Sequence, residues 1–281
     1  MDDLQFYPTP KELAQRAWSL FKNTHFSRVL EPSAGNGDLA DAHPWENDRF
    51  FRGTHPVIDC CETDVTKHPT LRDKGYQVVG LDFLQFGNAA IYSHIILNPP
   101  YKKINSSSAH RLALRRVGIE TVNLYSAFVA LAVAQSAPGG QIVAIIPRSF
   151  CNGPYYRPFR DIILERAAFR HMHLFESRSK AFKDDEVLQE SIIIRLERGG
   201  QQGPVTVSTS TDDTFADLVT HEHPFDRIVF PDDPERFIHV PTSPEQNAIE
   251  LSPAIRYTLA DLGIKVSTGP VVDFRLKEQL R

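Results

Sequence analysis

From Arg28 to Arg198 short apolar runs alternate with stretches whose apolar positions recur at helical spacing. RVLEP (28–32), VIDCCETD (57–64), YQVVGLD (76–82), SHIILNPP (93–100) and QIVAIIP (141–147) read as strands bounded by turn residues. FRHMHLFE (169–176) and VLQESIIIRLER (187–198) read as a sixth and a seventh. Between them lie helical patterns. KELAQRAWSLF starts after Thr9-Pro10 and carries Leu13, Ala14, Ala17, Leu20 and Phe21 on one face. A helix with Leu39 and Ala40 inward is expected after Gly37. TLRDKG gives a short one. TVNLYSAFVALAVAQSA is apolar all round and is expected to stop at Pro138-Gly139-Gly140, and YYRPFRDIILERA completes the series. Strands alternating with helices predict an α/β fold, a mostly parallel seven-stranded sheet with helices on both faces. The last two strands lack a helix between them and are expected to form a hairpin at one edge.

The pattern changes near residue 200. GGQQGP is turn-rich, PVTVSTS offers an extra strand, and prolines recur up to Pro253. The expected boundary lies there, with 1–200 as one domain and 201–281 as a linker and further region. The 281 residues are 41% hydrophobic and 23% charged, which is ordinary globular composition. No run of about 18 apolar residues predicts a membrane span, and MDDLQFYPTP has no signal core. Three cysteines, two of them adjacent, give no disulfide framework and no zinc spacing. A cytoplasmic, reduced protein is expected. The net charge of −4 leaves a nucleic-acid partner to local patches.

In open α/β sheets ligands sit beyond the carboxyl ends of the strands. Suggestive residues fall there in order. Glu31 to Gly37, EPSAGNG, is a small-residue turn suited to close backbone approach, although it lacks both the dinucleotide and the P-loop spacing. Glu62 ends the second strand, where an acid can accept from ribose hydroxyls. Asp82-Phe83 follows the third, offering an acceptor for an adenine amino group and a ring to cover the base. Each acid alone is more often a solvated strand end. Together they suit an adenosine bearing a charged amino-acid tail, which is S-adenosylmethionine. The fourth strand ends in Asn98-Pro99-Pro100-Tyr101, a stiff turn with an aromatic at its tip. From Lys102 to Arg116 come five basic residues and no acid: Lys102, Lys103, Arg111, Arg115 and Arg116. That bias suggests a face for DNA phosphates.

FYPTP (6–10), EPSAGNG (31–37) and NPPY (98–101), in that order, resemble the amino-methylating DNA methyltransferases, in particular the gamma class that includes the TaqI and BsuBI/PstI modification enzymes. NLYSAF (123–128), PGGQIVAIIP (138–147) and AFKDDEVLQESIIIRL (181–196) resemble that class too, so the likeness runs from residue 6 to about 198. It implies a Rossmann-like class I methyltransferase fold and transfer of a methyl group from S-adenosylmethionine to N6 of a flipped-out adenine in double-stranded DNA. It implies Tyr7, Thr9 and Pro10 closing over the methionine end of the cofactor. Glu31, Pro32, Ser33, Ala34, Gly35, Gly37, Glu62, Asp82 and Phe83 would hold the rest. Asn98 and Pro99 would be the acceptors for the N6 hydrogens, Pro100 a brace, and Tyr101 and Phe182 the two faces around the base. Asn123 and Tyr125 either join the site or merely begin a core helix. A cognate restriction endonuclease is an expected partner, and no metal is called for. Residues beyond 200 would open a target-recognition region cut short at Arg281. Methylation of a glutamine side-chain amide in a release factor, or of cytosine N4, uses similar turns and stays as an alternative. A non-catalytic scaffold is disfavoured by the intact turns.

Overall fold

The computed structural model describes residues 8–22, 27–47, 56–86, 89–105, 107–176, 191–241, 257, 259 and 261–265. Its centre is one nine-stranded sheet in the order β3-β2-β1-β4-β5-β7-β6-β8-β9. The strands are β1 (Arg28–Glu31), β2 (Val57–Cys61), β3 (Gln77–Gly80), β4 (Tyr92–Leu97), β5 (Ser136–Pro147), β6 (Ala167–Phe175), β7 (Ser191–Arg198), β8 (Val205–Ser210) and β9 (Val219–His223). β1 through β5 are parallel, and β7 enters antiparallel between β5 and β6. The seven expected strands are therefore present, the extra strand offered by PVTVSTS forms β8, and β9 is one more. β8 pairs parallel with β6, and β9 pairs antiparallel with β8. The expected boundary at 200 falls inside this sheet, and the compact unit runs on to Thr242. The turn-rich composition there marks a connection between two strands, since Val205 and Val207 insert into the same core.

Alternate strand residues feed opposite cores, as a period of two requires. Ile95, Leu97, Ile142, Ala144 and Ile146 face one side, and Ile96, Val143, Ile145 and Ile193 the other. The first side is covered by α3 (Ala109–Arg116), α4 (Leu124–Gln135) and α5 (Arg157–Arg166), the second by α1 (Lys11–Ser19), with α2 (His68–Asp73) ahead of β3. α4 is buried from Tyr125 to Gln135, which explains its lack of a polar face. It ends before the expected stop, because Ser136 turns extended and pairs with Tyr92. Cys60 and Cys61 are neighbours that face opposite cores, and with Cys151 they are free and buried.

The helix expected after Gly37 is absent. Only 3-10 turns form, at Ala40–Ala42 and Pro44–Asn47. Pro44 lacks an N–H and forces His43 to extended backbone (φ −56°, ψ 144°), so a helix cannot propagate. No helix among the described residues is long and apolar enough to cross a membrane.

Candidate active site at the carboxyl ends of the strands

β1 lies between β2 and β4, where the strand order reverses, and the motifs gather at that switch point. After Glu31 the chain turns through Gly35 (φ 55°) and Gly37 (φ 88°), left-handed conformations that favour glycine. The turn is tied to β2 on its far side. The Ala34 N–H donates to the Cys61 carbonyl (3.0 Å), and the Gly35 N–H donates to Glu62 Oε2 (2.7 Å). Glu62 Oε1 accepts from the Asp64 N–H at 2.7 Å. Glu62 thus braces two backbone segments with its carboxylate while remaining half-buried at the strand end.

Glu31 is buried at the base of this turn. Its Oε2 has no hydrogen-bond partner among the described residues. Burial drives its carboxyl well above the usual range, against a hydrogen bond from the Ala40 backbone, and the nearby Asp38, Asp41 and Glu62 push the same way as burial. A buried acid with an open acceptor would recover its charge beside a cation.

Asp82 follows β3 and caps the 3-10 turn Phe83–Gln85. Its Oδ1 accepts from the Leu84 N–H (3.0 Å), and its Oδ2 accepts from Gln85 Nε2 (2.8 Å). Phe83 was expected to cover a base. Its ring is 1% exposed and packs on Phe86 and Phe128 at 5.4 and 5.3 Å, inside the core. Two exposed apolar residues lie close to the two acids in sequence: Val65 (58%), three residues after Glu62, and Leu81 (52%), directly before Asp82. Exposed apolar residues at such positions are a signal that the sequence carries.

NPPY follows β4 directly. The Asn98 amide is fixed at both ends: Nδ2 donates to Thr9 Oγ1 (3.2 Å), and Oδ1 accepts from the Tyr101 hydroxyl (3.0 Å). The Ser33 hydroxyl donates to the Asn98 carbonyl at 3.3 Å. Three sequence segments more than twenty residues apart therefore meet at Asn98. Pro32, Ala34 and Pro99 are buried beneath, Pro10 caps α1 from the exposed side, and Pro100 is half-buried. Tyr7 and Phe182 lie outside the described residues.

After Tyr101 the chain pairs back on itself. The Leu124 N–H donates to Lys102 O, and the Ile104 N–H donates to Val122 O, both at 2.8 Å. Ser108 then caps α3, accepting from the Arg111 N–H at 3.2 Å. The expected basic face is smaller than the sequence implied. Arg111 and Arg115 converge on Glu120, through Arg111 Nε (2.8 Å to Oε1) and Arg115 Nε (2.6 Å to Oε2). The hydrogen bond from Arg115, then that from Arg111, holds the Glu120 carboxyl below its usual range. Lys102, Lys103 and Arg116 are exposed.

A strand order of 3-2-1-4-5-7-6 with an antiparallel β7, and acids and NPPY at its carboxyl rim, defines the class I methyltransferase architecture. The solved structures agree on this fold. The modification subunit of a putative type I restriction enzyme from Vibrio vulnificus superposes with a TM-score of 0.66 at 12% identity, covering 91% of this chain and 62% of that one. A putative class I S-adenosylmethionine-dependent methyltransferase from Listeria monocytogenes gives 0.59 at 11% identity, covering 73% and 66%. By sequence, residues 48–182 match the Eco57I restriction-modification methylase family. The type II methyltransferase M.BsuBI of Bacillus subtilis is 60% identical over 190 residues, 68% of this chain and 38% of that protein. M.PstI of Providencia stuartii is 48% identical over 191 residues, 67% and 38%. Over these aligned two-thirds the chain is similar to restriction-modification methyltransferases of the BsuBI/PstI type. The chain spans 38% of the length of those two relatives.

Proposed function

We propose that this chain carries the catalytic part of a site-specific DNA methyltransferase that methylates N6 of a flipped-out adenine in double-stranded DNA, inside the cell, as one half of a restriction-modification system with a cognate endonuclease. The observation that carries the reading is the Asn98 amide, oriented by Thr9 and Tyr101 at the switch point of the sheet.

An adenine N6 amine is a poor nucleophile because its lone pair is delocalised into the ring. Asn98 Oδ1 and the Pro99 carbonyl each accept one N6 hydrogen, which favours a tetrahedral nitrogen with a localised lone pair. The prolines hold both acceptors in place before the base arrives, so no reorganisation is needed at the moment of reaction. Flipping the base costs a few kcal/mol. Stacking on Tyr101 returns about 1–3 kcal/mol, and Phe182 is the proposed second face.

S-adenosylmethionine supplies an electrophilic methyl group on a sulfonium. The residues present fit it. The open Oε2 of buried Glu31 suits its ammonium end, Glu62 its ribose, and Asp82 its adenine amine. Tyr7, Thr9, Pro10, Pro32 to Gly35 and Gly37 complete the proposed set, with Val65 and Leu81 as added apolar walls, whereas Phe83, packed in the core, drops out of it. Lys102, Lys103 and Arg116 are proposed to meet phosphates, while Arg111 and Arg115 reach them only by leaving Glu120. The test is transfer of a tritiated methyl group from S-adenosylmethionine to unmethylated chromosomal DNA, followed by nucleoside analysis. Wild type is expected to yield N6-methyladenine. Asn98→Ala is expected to lose transfer at least a hundredfold while keeping cofactor affinity. Label found only in N4-methylcytosine, or in protein, overturns the reading.

A further inference from the structure

Tyr101 is half-buried at the rim, and its ring meets the ring of Tyr125 edge-on, with centroids 6.2 Å apart at 88°. Tyr125 is fully buried in the first turn of α4, and its hydroxyl lies 2.9 Å from Ser149 Oγ in the turn after β5. Tyr156, just ahead of α5, lies against the Tyr125 ring on a separate contact (5.6 Å, 32°). The Tyr156 hydroxyl is within 3.5 Å of the same Ser149 Oγ and accepts from the Asn123 amide. Three elements distant in sequence therefore converge behind Tyr101. The backbone reinforces the convergence, because Lys103 pairs with Asn123 in an isolated antiparallel bridge.

Phenylalanine or leucine would fill this space without a polar atom. Burying a phenol is unfavourable unless its hydroxyl is paired. Here each hydroxyl is paired, and the pairing fixes the plane of each ring. A leucine would remove the edge-on contact while leaving the hydrogen bond from Tyr101 to Asn98 in place. An edge-on aromatic contact adds a directional constraint, since the positive ring edge prefers the negative face of its neighbour.

We propose that Tyr125, held through Ser149 and Tyr156, is a positioning residue that acts through Tyr101, setting the plane on which the target base stacks. This rests on the adenine-methylating reading above. A platform tilted away from the acceptor pair moves N6 off Asn98 Oδ1 and the Pro99 carbonyl, so the effect falls on the chemical step and spares cofactor binding.

The experiment is a double-mutant cycle on the full chain, with methyl transfer to unmethylated chromosomal DNA as the assay. Tyr125→Leu is expected to lower kcat about three- to tenfold, the range of one aromatic pair, with the Kd for S-adenosylmethionine unchanged. In a Tyr101→Ala background the same change is expected to have no further effect, because the path through Tyr101 is already lost. Tyr125→Phe and Ser149→Ala remove only the hydroxyl link. Each is expected to slow transfer by a smaller, similar factor, and they keep the test alive if the leucine variant does not fold. Losses that multiply in the double variant, or a Tyr125→Phe enzyme equal to wild type, overturn the inference. A folded wild type that methylates no adenine removes the reading and the inference together, whereas multiplying losses in an active enzyme remove the inference alone.

Discussion

His110 Nε2 lies 2.8 Å from Asp82 Oδ2, joining the first turn of α3 to the turn that follows β3. With Leu84 and Gln85 this gives the Asp82 carboxylate three partners from its own chain. A carboxylate offers about four lone-pair directions. An adenine amino group entering here takes the last one or displaces His110, the partner that comes from a separate element. His110→Ala is expected to tighten binding of S-adenosylmethionine by roughly two- to tenfold, the net worth of one such bond. Asp82→Ala is expected to weaken it. Titration calorimetry on both variants measures this directly. A His110→Ala affinity equal to or below that of wild type would mean that the imidazole does not stand in the cofactor's way.

Gly37 and Gly75 separate two effects that glycine usually mixes. Both have left-handed backbone, at φ 88° and 86°. A Cβ on Gly75 meets nothing within 4 Å, whereas one on Gly37 lies 3.1 Å from Tyr76 Cε2 and 3.2 Å from Leu71 Cδ2. Gly75→Ala is expected to cost about 1–2 kcal/mol from backbone strain alone. Gly37→Ala carries the same strain plus crowding, and the Tyr76 ring cannot swing freely because its hydroxyl is bound to Asp41 at 2.7 Å. It is expected to cost at least about 1 kcal/mol more. Urea midpoints of the two variants decide it. Equal midpoints would show that Tyr76 and Leu71 yield easily.

The legible parts of the molecule were those set by neighbours in sequence. The first seven strands announced themselves as short apolar runs closed by turn residues, and NPPY and the glycine turn lie where those strands deliver them. The unreadable parts depend on distant partners. Arg111 and Arg115 formed a basic stretch until Glu120 folded back on them. Phe83 carried the same signal for a base-covering ring as for a core ring, and only Phe86 and Phe128 decide between them. The segment after Gly37 has inward apolar positions at helical spacing, but Pro44 holds His43 extended and outweighs them. The boundary near 200 was read from composition, which cannot distinguish a domain linker from a turn-rich loop between paired strands.

Arg160 supports the loop that carries Ser149. Its side chain is fully buried. Nη1 donates to Phe150 O (3.0 Å) and Gly153 O (2.8 Å), while Nε and Nη2 both donate to Glu235 O (3.0 and 2.9 Å). The guanidinium also lies 5.0 Å from the Phe237 ring centroid. One planar fork thus joins the turn after β5, α5 and the segment that follows β9. Arg160→Met keeps the volume and leaves three carbonyls without this donor, an expected loss of about 3–5 kcal/mol. Arg160→Lys is expected to recover less than half, because a single ammonium cannot reproduce a planar fork. Guanidinium denaturation measures both. A lysine variant as stable as wild type would show that charge alone suffices.

His171 and His173 make the fold sensitive to acid. Both are buried on β6, against Ser208 and Ser210 of β8. The direction of every proton in this chain follows from its end. Ser210 Oγ donates to the Asp212 carbonyl (2.7 Å), which can only accept. Ser210 Oγ therefore accepts from His173 Nε2–H (3.1 Å), leaving His173 Nδ1 to accept from the Ser208 hydroxyl (2.8 Å). Ser208 Oγ in turn accepts from His171 Nε2–H (2.9 Å). A further proton on His173 would set two donors against each other at Ser208. Burial first, and then the Arg16 guanidinium, hold His173 down to about 3. Burial, then Arg16 and Arg195, do the same for His171. The unfolded imidazoles titrate near 6.5, so above that pH neither state binds the extra protons and the stability is fully present. Between about 6.5 and 3 the unfolded chain takes up protons that the folded one refuses. Stability then falls by about 1.4 kcal/mol per pH unit for each histidine. The double variant His171→Gln/His173→Gln is expected to be less stable at pH 8 and to lose much less on going to pH 5. Urea midpoints at the two pH values test it. A variant whose midpoint falls as steeply as that of wild type between pH 8 and pH 5 would place the acid sensitivity elsewhere.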